Sequence, residues 1–180
     1  MSDTQWPRYE VFQQEKPARP FRNAGSIHAP DDEMALLIAR DVFVRRPDCH
    51  SLWVVPAGRI LSQTTQELAA APAAQNDASG APETFHVFQK KSQAGVETFV
   101  EYTGQVEAAS LTSALAAAVL RWPEETAFVW WVFPESAVIR NDPAEADLLF
   151  SPARDKPFRK QTHYHVRTLL RAVKQKRRKA

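Results

Sequence analysis

The sequence predicts an α+β fold in which one small ββαβ unit occurs twice, with an antiparallel sheet and a helix over each half. Four landmarks recur in the same order and at nearly constant separation, and each copy repeats the same strand and helix patterns. A unit of ~55 residues buries too little surface to be stable alone, so the copies are expected to pack about an internal pseudo-twofold axis. The paired landmarks are Tyr9-Glu-Val-Phe-Gln-Gln with Phe85-His-Val-Phe-Gln-Lys, Gly25-Ser-Ile-His-Ala with Gly104-Gln-Val-Glu-Ala, Trp53-Val-Val-Pro with Trp131-Val-Phe-Pro, and Ile60 with Val138.

Each unit begins with a predicted hairpin. Residues 8–14 alternate in character, are rich in aromatic and β-branched types and follow Pro7, which indicates a first strand. Residues 20–28 form the predicted second strand, in which Gly25 suggests a bulge or a close approach of another group to the backbone.

A helix of about 15 residues is expected after the hairpin. Pro30-Asp31-Asp32-Glu33 supplies a side-chain acceptor and negative charge for its start, and Arg45-Arg46-Pro47 supplies cations and a breaker for its end. In the second copy Ser110 is the predicted cap, and the helix ends before Pro123. The apolar stripes are Ala35, Leu36, Ala39, Val42 and Phe43 in the first copy, and Leu111, Leu115, Ala118 and Val119 in the second.

A nearly continuous apolar run ends each unit. Residues 52–55 and 128–133 have few polar positions, which is typical of strands covered on both faces. The helix covers one face, and the other copy is the expected cover for the second face. Trp53, Trp130 and Trp131 are therefore predicted to lie in the core.

Composition divides the chain into four segments. Residues 1–61 form the first ββαβ repeat and residues 84–140 the second. Residues 62–83 are rich in Ala, Pro, Ser, Gln and Asn with few bulky apolar groups, which predicts a flexible linker. Residues 141–180 are expected to form an extended C-terminal segment with a short basic helix.

The C-terminal segment has two distinct parts. Two prolines soon after Leu148 favour an extended or looped path. Thr162 is a plausible cap for a short helix that runs into the basic end of the chain. The apolar stripe of that helix is Val166, Leu169, Leu170 and Val173.

Charge is distributed unevenly along the chain. The whole chain has a net charge of +2, and residues 166–180 carry seven Lys or Arg and no acid, so residues 1–165 carry −5. The basic arm is interpreted as a solvated tail or a dock for an acidic partner. Binding of nucleic acid through this arm is the alternative function, although the chain has no recognisable nucleic-acid motif.

The lone Cys49 and the absence of a long apolar run predict a cytoplasmic protein without a membrane span. No Glu-x-x-His pair of the di-iron type occurs, and His163-Tyr-His165 is interpreted as a surface or interface pair rather than as metal ligands. Cys49-His50 lacks a third group that would make it a nucleophile and base. The five glycines are too dispersed for a phosphate-binding loop. No metal, no cofactor and no catalytic residue is therefore assigned.

A group of short motifs lies in the first repeat and in the C-terminal segment. The motifs are Trp6-Pro-Arg-Tyr-Glu-Val-Phe, Gly25-Ser-Ile-His-Ala, Met34-Ala-Leu, Ala39-Arg-Asp, Arg45-Arg46, Ser51-Leu-Trp-Val-Val, Phe150-Ser-Pro-Ala-Arg-Asp-Lys-Pro-Phe-Arg and Tyr164. Together they resemble the phenylacetic acid degradation B family, the small accessory subunit of the multicomponent phenylacetyl-CoA epoxidase. The match covers about half of the chain, and residues 80–140 resemble the family only weakly.

The resemblance implies a non-catalytic subunit that organises or bridges an oxygenase assembly, in which a separate di-iron subunit epoxidises the aromatic ring. The expected partners are the oxygenase catalytic subunits. Trp6 precedes the first strand, where an exposed aromatic often carries binding energy, whereas Arg45 and Arg46 are equally explained as helix C-terminal cations. The candidate partner-binding residues are Trp6, Glu10, His28, Arg45, Arg46, Asp155, Lys156, Phe158, Arg159 and Tyr164.

The chain also departs from the family. Members have one unit of about half this length, whereas here the head signature lies in the first copy and the tail signature follows the second. The second copy has Glu107 where the first has His28. A divergent paralogue with another oxygenase partner is an alternative, and a small-molecule enzyme would require His28 or His163 in a deep polar pocket.

Overall fold

The computed structural model describes residues 5–44, 49–70, 81–91, 99–122 and 127–154. Within these ranges the chain forms eight strands and four α-helices. The strands are β1 (Arg8–Gln14), β2 (Arg22–His28), β3 (Ser51–Pro56), β4 (Leu61–Thr64), β5 (Glu83–Lys90), β6 (Glu101–Ala108), β7 (Val129–Pro134) and β8 (Ile139–Arg140), and the helices are α1 (Asp32–Phe43), α2 (Thr65–Ala70), α3 (Leu111–Arg121) and α4 (Ala146–Arg154).

The strands form one antiparallel sheet in the order β4-β7-β5-β6-β2-β1-β3-β8. The predicted α+β class is confirmed. Two strands, a helix, a third strand, a short 3-10 turn and a fourth strand follow one another in residues 8–64, and the same succession recurs in residues 83–140. We call β1–β4 with α1 and α2 the first copy, and β5–β8 with α3 the second copy, which α4 follows in the sequence.

Both predicted hairpins form, and the predicted bulge lies at Gly25. The β1–β2 register shifts beside this residue, whose φ of 137° favours glycine. A Cβ atom on Gly25 would lie 2.9 Å from the Phe43 ring, and one on Gly104 would lie 2.5 Å from the Trp122 ring. In each copy, therefore, the aromatic residue at the end of the helix packs onto a glycine of the second strand.

Both helices begin where the sequence predicts. The Asp31 carboxylate accepts from the Met34 amide at 2.8 Å, and Ser110 forms a capping box with Ser113. However, α1 is shorter than expected, with 12 residues, and it ends at Phe43. The next residue, Val44, leaves helical geometry with its side chain 1% exposed in the core, so burial of that side chain ends the helix before Pro47 is reached.

Three apolar clusters form the core. One lies between α1 and the first copy's strands, and a second lies between α3 and the second copy's strands. The third cluster joins the opposite faces of the two copies, where the Phe12 ring lies 4.6 Å from Phe88 and 5.1 Å from Phe133. Strands β3 and β7 are thus covered on both faces, as predicted. Trp53 and Trp130 are buried, and Trp131 packs against the third cluster.

The two copies are joined through the sheet at three places. At the centre, the backbone amide of Asn23 donates to the Val100 carbonyl and the backbone amide of Tyr102 donates to the Phe21 carbonyl, both at 2.8 Å. At the ends, each copy gives its fourth strand to the other, because β4 pairs with β7 and β8 pairs with β3. Each half of the sheet therefore contains backbone from both copies.

The first part of the predicted linker differs from the expectation. Residues 62–70 form most of β4 and all of α2, and residues 71–80 lie outside the described residues. The backbone of β4 pairs with β7, and the Glu67 carboxylate accepts from the Thr64 amide at 2.7 Å. A short polar strand of this kind owes its existence to a distant partner strand, which local composition does not reveal.

Residues 146–154, predicted to be extended or looped, form α4. Pro152 lacks the amide that would donate to the Leu148 carbonyl, but the Ser151 hydroxyl donates to that carbonyl at 3.0 Å. Phe150 is 4% exposed and packs, with Leu149, into the cluster under α1. The predicted basic helix after Thr162 lies outside the described residues.

The exchange of strands predicts that the copies cannot be separated. Residues 1–75 expressed alone would lack the β8 partner of β3 and the partner of β4, and would expose the apolar face that includes Phe12. We expect no cooperative thermal transition by circular dichroism, whereas the full chain unfolds cooperatively. A folded, monomeric 1–75 fragment would contradict this expectation.

Gln89 offers a test of the core. It is 1% exposed and neither side-chain amide atom has a hydrogen-bond partner, whereas the equivalent Gln13 is half-buried and can reach water. Because an unsatisfied buried polar group costs about 1–3 kcal/mol, Gln89→Met should raise the free energy of unfolding by about 1–2 kcal/mol in urea titrations. Gln13→Met, the matched control, should be neutral or destabilising, and equal gains at both positions would refute the explanation.

Candidate functional site

The structure brings Trp6 and His28 together beside the first hairpin. His28 Nδ1 donates to the Trp6 carbonyl at 2.8 Å, and the Ala29 amide donates to the Pro7 carbonyl at 3.2 Å. These bonds hold the segment before β1 against the end of β2. The Trp6 side chain is 57% exposed, so a large aromatic surface is presented on a fixed backbone.

Glu10 does not belong to this exposed pair. It is only 9% exposed. The side-chain amide of Asn23 donates to Glu10 Oε2 at 3.2 Å, and Arg8 Nε lies 3.5 Å from Glu10 Oε1. Its carboxylate is therefore occupied within the first hairpin. Glu10 stabilises the hairpin that carries Trp6, and it is not available as an exposed contact.

The start of α1 is fixed to the same hairpin. The Tyr9 hydroxyl donates to Asp32 Oδ1 at 2.9 Å, and burial followed by the nearby Asp32 carboxylate raises the pKa of Tyr9. Met34, in the first turn, is 41% exposed. The first hairpin and the start of α1 are thus joined by a hydrogen bond, and the exposed apolar side chains of Trp6 and Met34 lie beside them.

The remaining candidate residues lie outside the described residues: Arg45, Arg46, Asp155, Lys156, Phe158, Arg159 and Tyr164. Their point of departure is nevertheless described. Because Phe150 fixes α4 to the cluster under α1, α4 packs on the first copy up to its end at Arg154, although it follows the second copy in sequence.

A polar cluster that the sequence analysis missed lies between the copies. His86, 2% exposed, contacts Glu135 through Nε2 and accepts at Nδ1 from the Gln105 amide at 3.5 Å. Arg140 pairs with the other Glu135 oxygen, and its guanidinium lies 5.1 Å from the Trp53 ring. The groups line a cavity of about 500 Å³.

The charges of this cluster follow from its surroundings. Burial among aromatic rings lowers the pKa of His86, although Glu135 partly opposes the change. Burial alone would raise the pKa of Glu135, but its contacts with His86 and Arg140 lower it. The neutral imidazole of His86 therefore has a structural role, because it connects the Glu135 carboxylate to the Gln105 side-chain amide. The one signal in the sequence was that His86 occupies the position equivalent to Glu10, so both copies place a titratable residue there.

Neither a reactive cysteine nor a metal site is found among the described residues. Cys49 is buried, its thiol donates to the Ser51 carbonyl at 3.6 Å, and burial raises its pKa to about 11, which opposes a nucleophilic thiolate. Within the described ranges, no group of three or more His, Cys, Asp or Glu side chains is arranged to bind a metal ion. None of the described helices is both long and apolar enough to cross a membrane.

Comparison with known proteins gives two family matches. The model of the family described as Phenylacetic acid degradation B matches residues 5–91 and again residues 81–170. The second match includes the region that resembles the family only weakly by its motifs. The chain is also 45% identical over 67 residues to the B subunit of 1,2-phenylacetyl-CoA epoxidase from Escherichia coli strain K12, which covers 37% of this chain and 70% of that protein. No solved structure matches the chain.

The buried imidazole predicts a specific acid sensitivity. The unfolded state binds a proton at His86 near pH 6.5, whereas the folded state binds it only at lower pH, so stability falls as the pH drops below about 6.5. This group contributes a slope of at most about 1.4 kcal/mol per pH unit.

Urea titrations between pH 7.5 and 5.5 should therefore show a smaller pH dependence for His86→Gln than for the wild type. If the slopes of His86→Gln and wild type coincide, His86 does not remain neutral in the folded protein.

Proposed function

The chain belongs to the phenylacetic acid degradation B family, and we propose that it is a non-catalytic bridging subunit of a phenylacetyl-CoA epoxidase-like multicomponent oxygenase. Its similarity to the B subunit of such an epoxidase supports a role in phenylacetate degradation. The observation that carries the bridging role is the exposed Trp6 held by His28 on a hairpin fixed to α1. Such a preorganised aromatic suits protein binding.

We infer further that the two ββαβ units, residues 1–61 and 84–140, are related by an internal pseudo-twofold axis. The two hydrogen bonds at the centre of the sheet support this inference. When Gly25 is aligned with Gly104, Asn23 is equivalent to Tyr102 and Phe21 to Val100, so exchanging the copies turns each bond into the other. The exchanged strands support the same axis. When Trp53 is aligned with Trp131, the pairing of Val54 with Ile139 corresponds to the pairing of Val132 with Leu61.

The two copies are not equivalent as binding surfaces. Aligning Tyr9 with Phe85 places Pro82 where the first copy has Trp6, and Glu107 replaces His28. Glu107 instead accepts a hydrogen bond from the Thr84 hydroxyl at 2.6 Å. We propose that the oxygenase subunit docks on the first copy only, with residues 155–164 joining that surface because α4 delivers the chain there.

Trp6→Ala tests the docking surface. The tagged full chain, expressed in its own host, should co-purify an oxygenase catalytic subunit, and Trp6→Ala should weaken that binding about tenfold or more, since central aromatics are worth about 2 kcal/mol or more. Binding is measured by titration of the purified subunit. Phe99→Ala, which removes an aromatic side chain 45% exposed in the second copy, is the matched control and should bind like the wild type.

Two outcomes would oppose the proposal. A wild-type chain that retains no oxygenase subunit removes the bridging role, and equal loss in both variants removes the assignment to the first copy. Nucleic-acid binding through residues 174–179 is the competing function. It predicts an affinity for DNA or RNA that falls steeply with salt and disappears when those residues are deleted.

A further inference from the structure

An apolar groove lies beside the last turns of α3. It has a volume of about 860 Å³ and is lined by α2, α3 and the start of β7, with Leu68, Leu120 and Trp130 among its walls. Leu120 is 67% exposed. The lining is mostly apolar, so an apolar segment could fill the groove.

The first copy shows how the equivalent region is closed. There Leu149 and Phe150 of α4 pack against α1, and Phe150 is almost fully buried. When Trp53 is aligned with Trp131, the sequence has Ala71 and Pro72 at those two positions, so the chain after α2 has fewer apolar atoms to offer. Among the described residues, the groove beside α3 therefore has no counterpart of the buried Phe150 of α4.

The surface of α3 beside the groove is also more apolar than the equivalent surface of α1. In the alignment of Gly25 with Gly104, Val119 and Leu120 of α3 correspond to Arg40 and Asp41 of α1, which form an ion pair at 3.1 Å. The second copy therefore has apolar side chains where the first has charged ones.

The sequence contains one apolar stripe that the described fold does not use. Residues 71–80, 92–98 and 123–126, which border the second copy, contain a single valine and no larger apolar side chain. The C-terminal segment, by contrast, has large apolar residues at helical spacing. They are Val166, Leu169, Leu170 and Val173.

Length and charge favour the same segment. The twelve residues from Arg154 to Val166 can span about 40 Å when extended, which is comparable to the diameter of a domain whose radius of gyration is roughly 15 Å. Residues 1–165 carry a net charge of −5 and residues 166–180 carry +7, so the segment is attracted to the body of its own chain.

We propose that residues 165–173 cover the groove beside α3 in the same chain, with the stripe of Val166, Leu169, Leu170 and Val173 against Leu120 and Trp130. The second copy then acquires from the C-terminus the apolar cover that the first copy receives from α4. This inference does not depend on the proposed oxygenase partner.

Crosslinking between two introduced cysteines tests the contact. In a Cys49→Ala background, which copies the alanine that the second copy has at the equivalent position 127, Leu120→Cys with Leu169→Cys should form an intramolecular disulfide under mild oxidation. Leu148→Cys with Leu169→Cys is the matched control, because Leu148 is 77% exposed and lies on α4, which packs against α1 and not beside α3. Mass spectrometry should show disulfide formation at least about tenfold faster in the first pair.

Maleimide labelling of Leu120→Cys in the same background gives a second measurement. Labelling should be several-fold faster in a chain that ends at residue 161, and Leu169→Asp in the full chain should reproduce this gain. Thr168→Asp adds the same charge on the opposite side of the predicted helix and should not. A disulfide between two chains would assign the groove to a second copy. Equal disulfide rates with unchanged labelling would leave it to another occupant, and either result overturns the proposal.

Discussion

The shared aromatic cluster between the copies is the interaction on which the fold depends. Phe12, Phe88 and Phe133 lie within van der Waals reach on faces that neither helix covers. A unit of ~55 residues with one helix can bury only one face of its strands. The second copy covers the other face. The exchanged strands β4 and β8 lie at the two edges of the sheet, where their backbones form hydrogen bonds with β7 and β3 of the other copy.

Because this shared core holds the copies together, their outer faces are free to differ. Glu10 in the first copy binds Asn23 and contacts Arg8, whereas His86 at the equivalent position joins Glu135 and Gln105. Gln13 is half-buried, whereas the equivalent Gln89 is almost fully buried and its side-chain amide has no hydrogen-bond partner. Divergence of this kind costs local hydrogen bonds without altering the strand order.

Features set by neighbouring residues could be predicted from the sequence, and features set by distant ones could not. The caps Asp31 and Ser110, the bulge at Gly25 and both hairpins are local, and each was predicted. β4 and α4 were missed because a partner strand and the buried Phe150 stabilise them against an unfavourable composition. The candidate site divides in the same way: Trp6 and His28 meet as neighbours across a hairpin, whereas His86 meets Glu135 and Arg140 only because the sheet brings distant parts of the chain together.

The inequality of the copies bears on what a duplicated bridging subunit can do. Two identical units about a twofold axis would offer two identical docking surfaces, and hence a symmetric assembly. Among the described residues the hairpin with Trp6 and His28 occurs once, and α4 returns the chain from the second copy to α1. Under the proposed function, the second copy serves mainly as the fixed support that completes the first copy's core. Its outer groove can then bind a different group, such as the chain's own C-terminal segment, without competing for the partner.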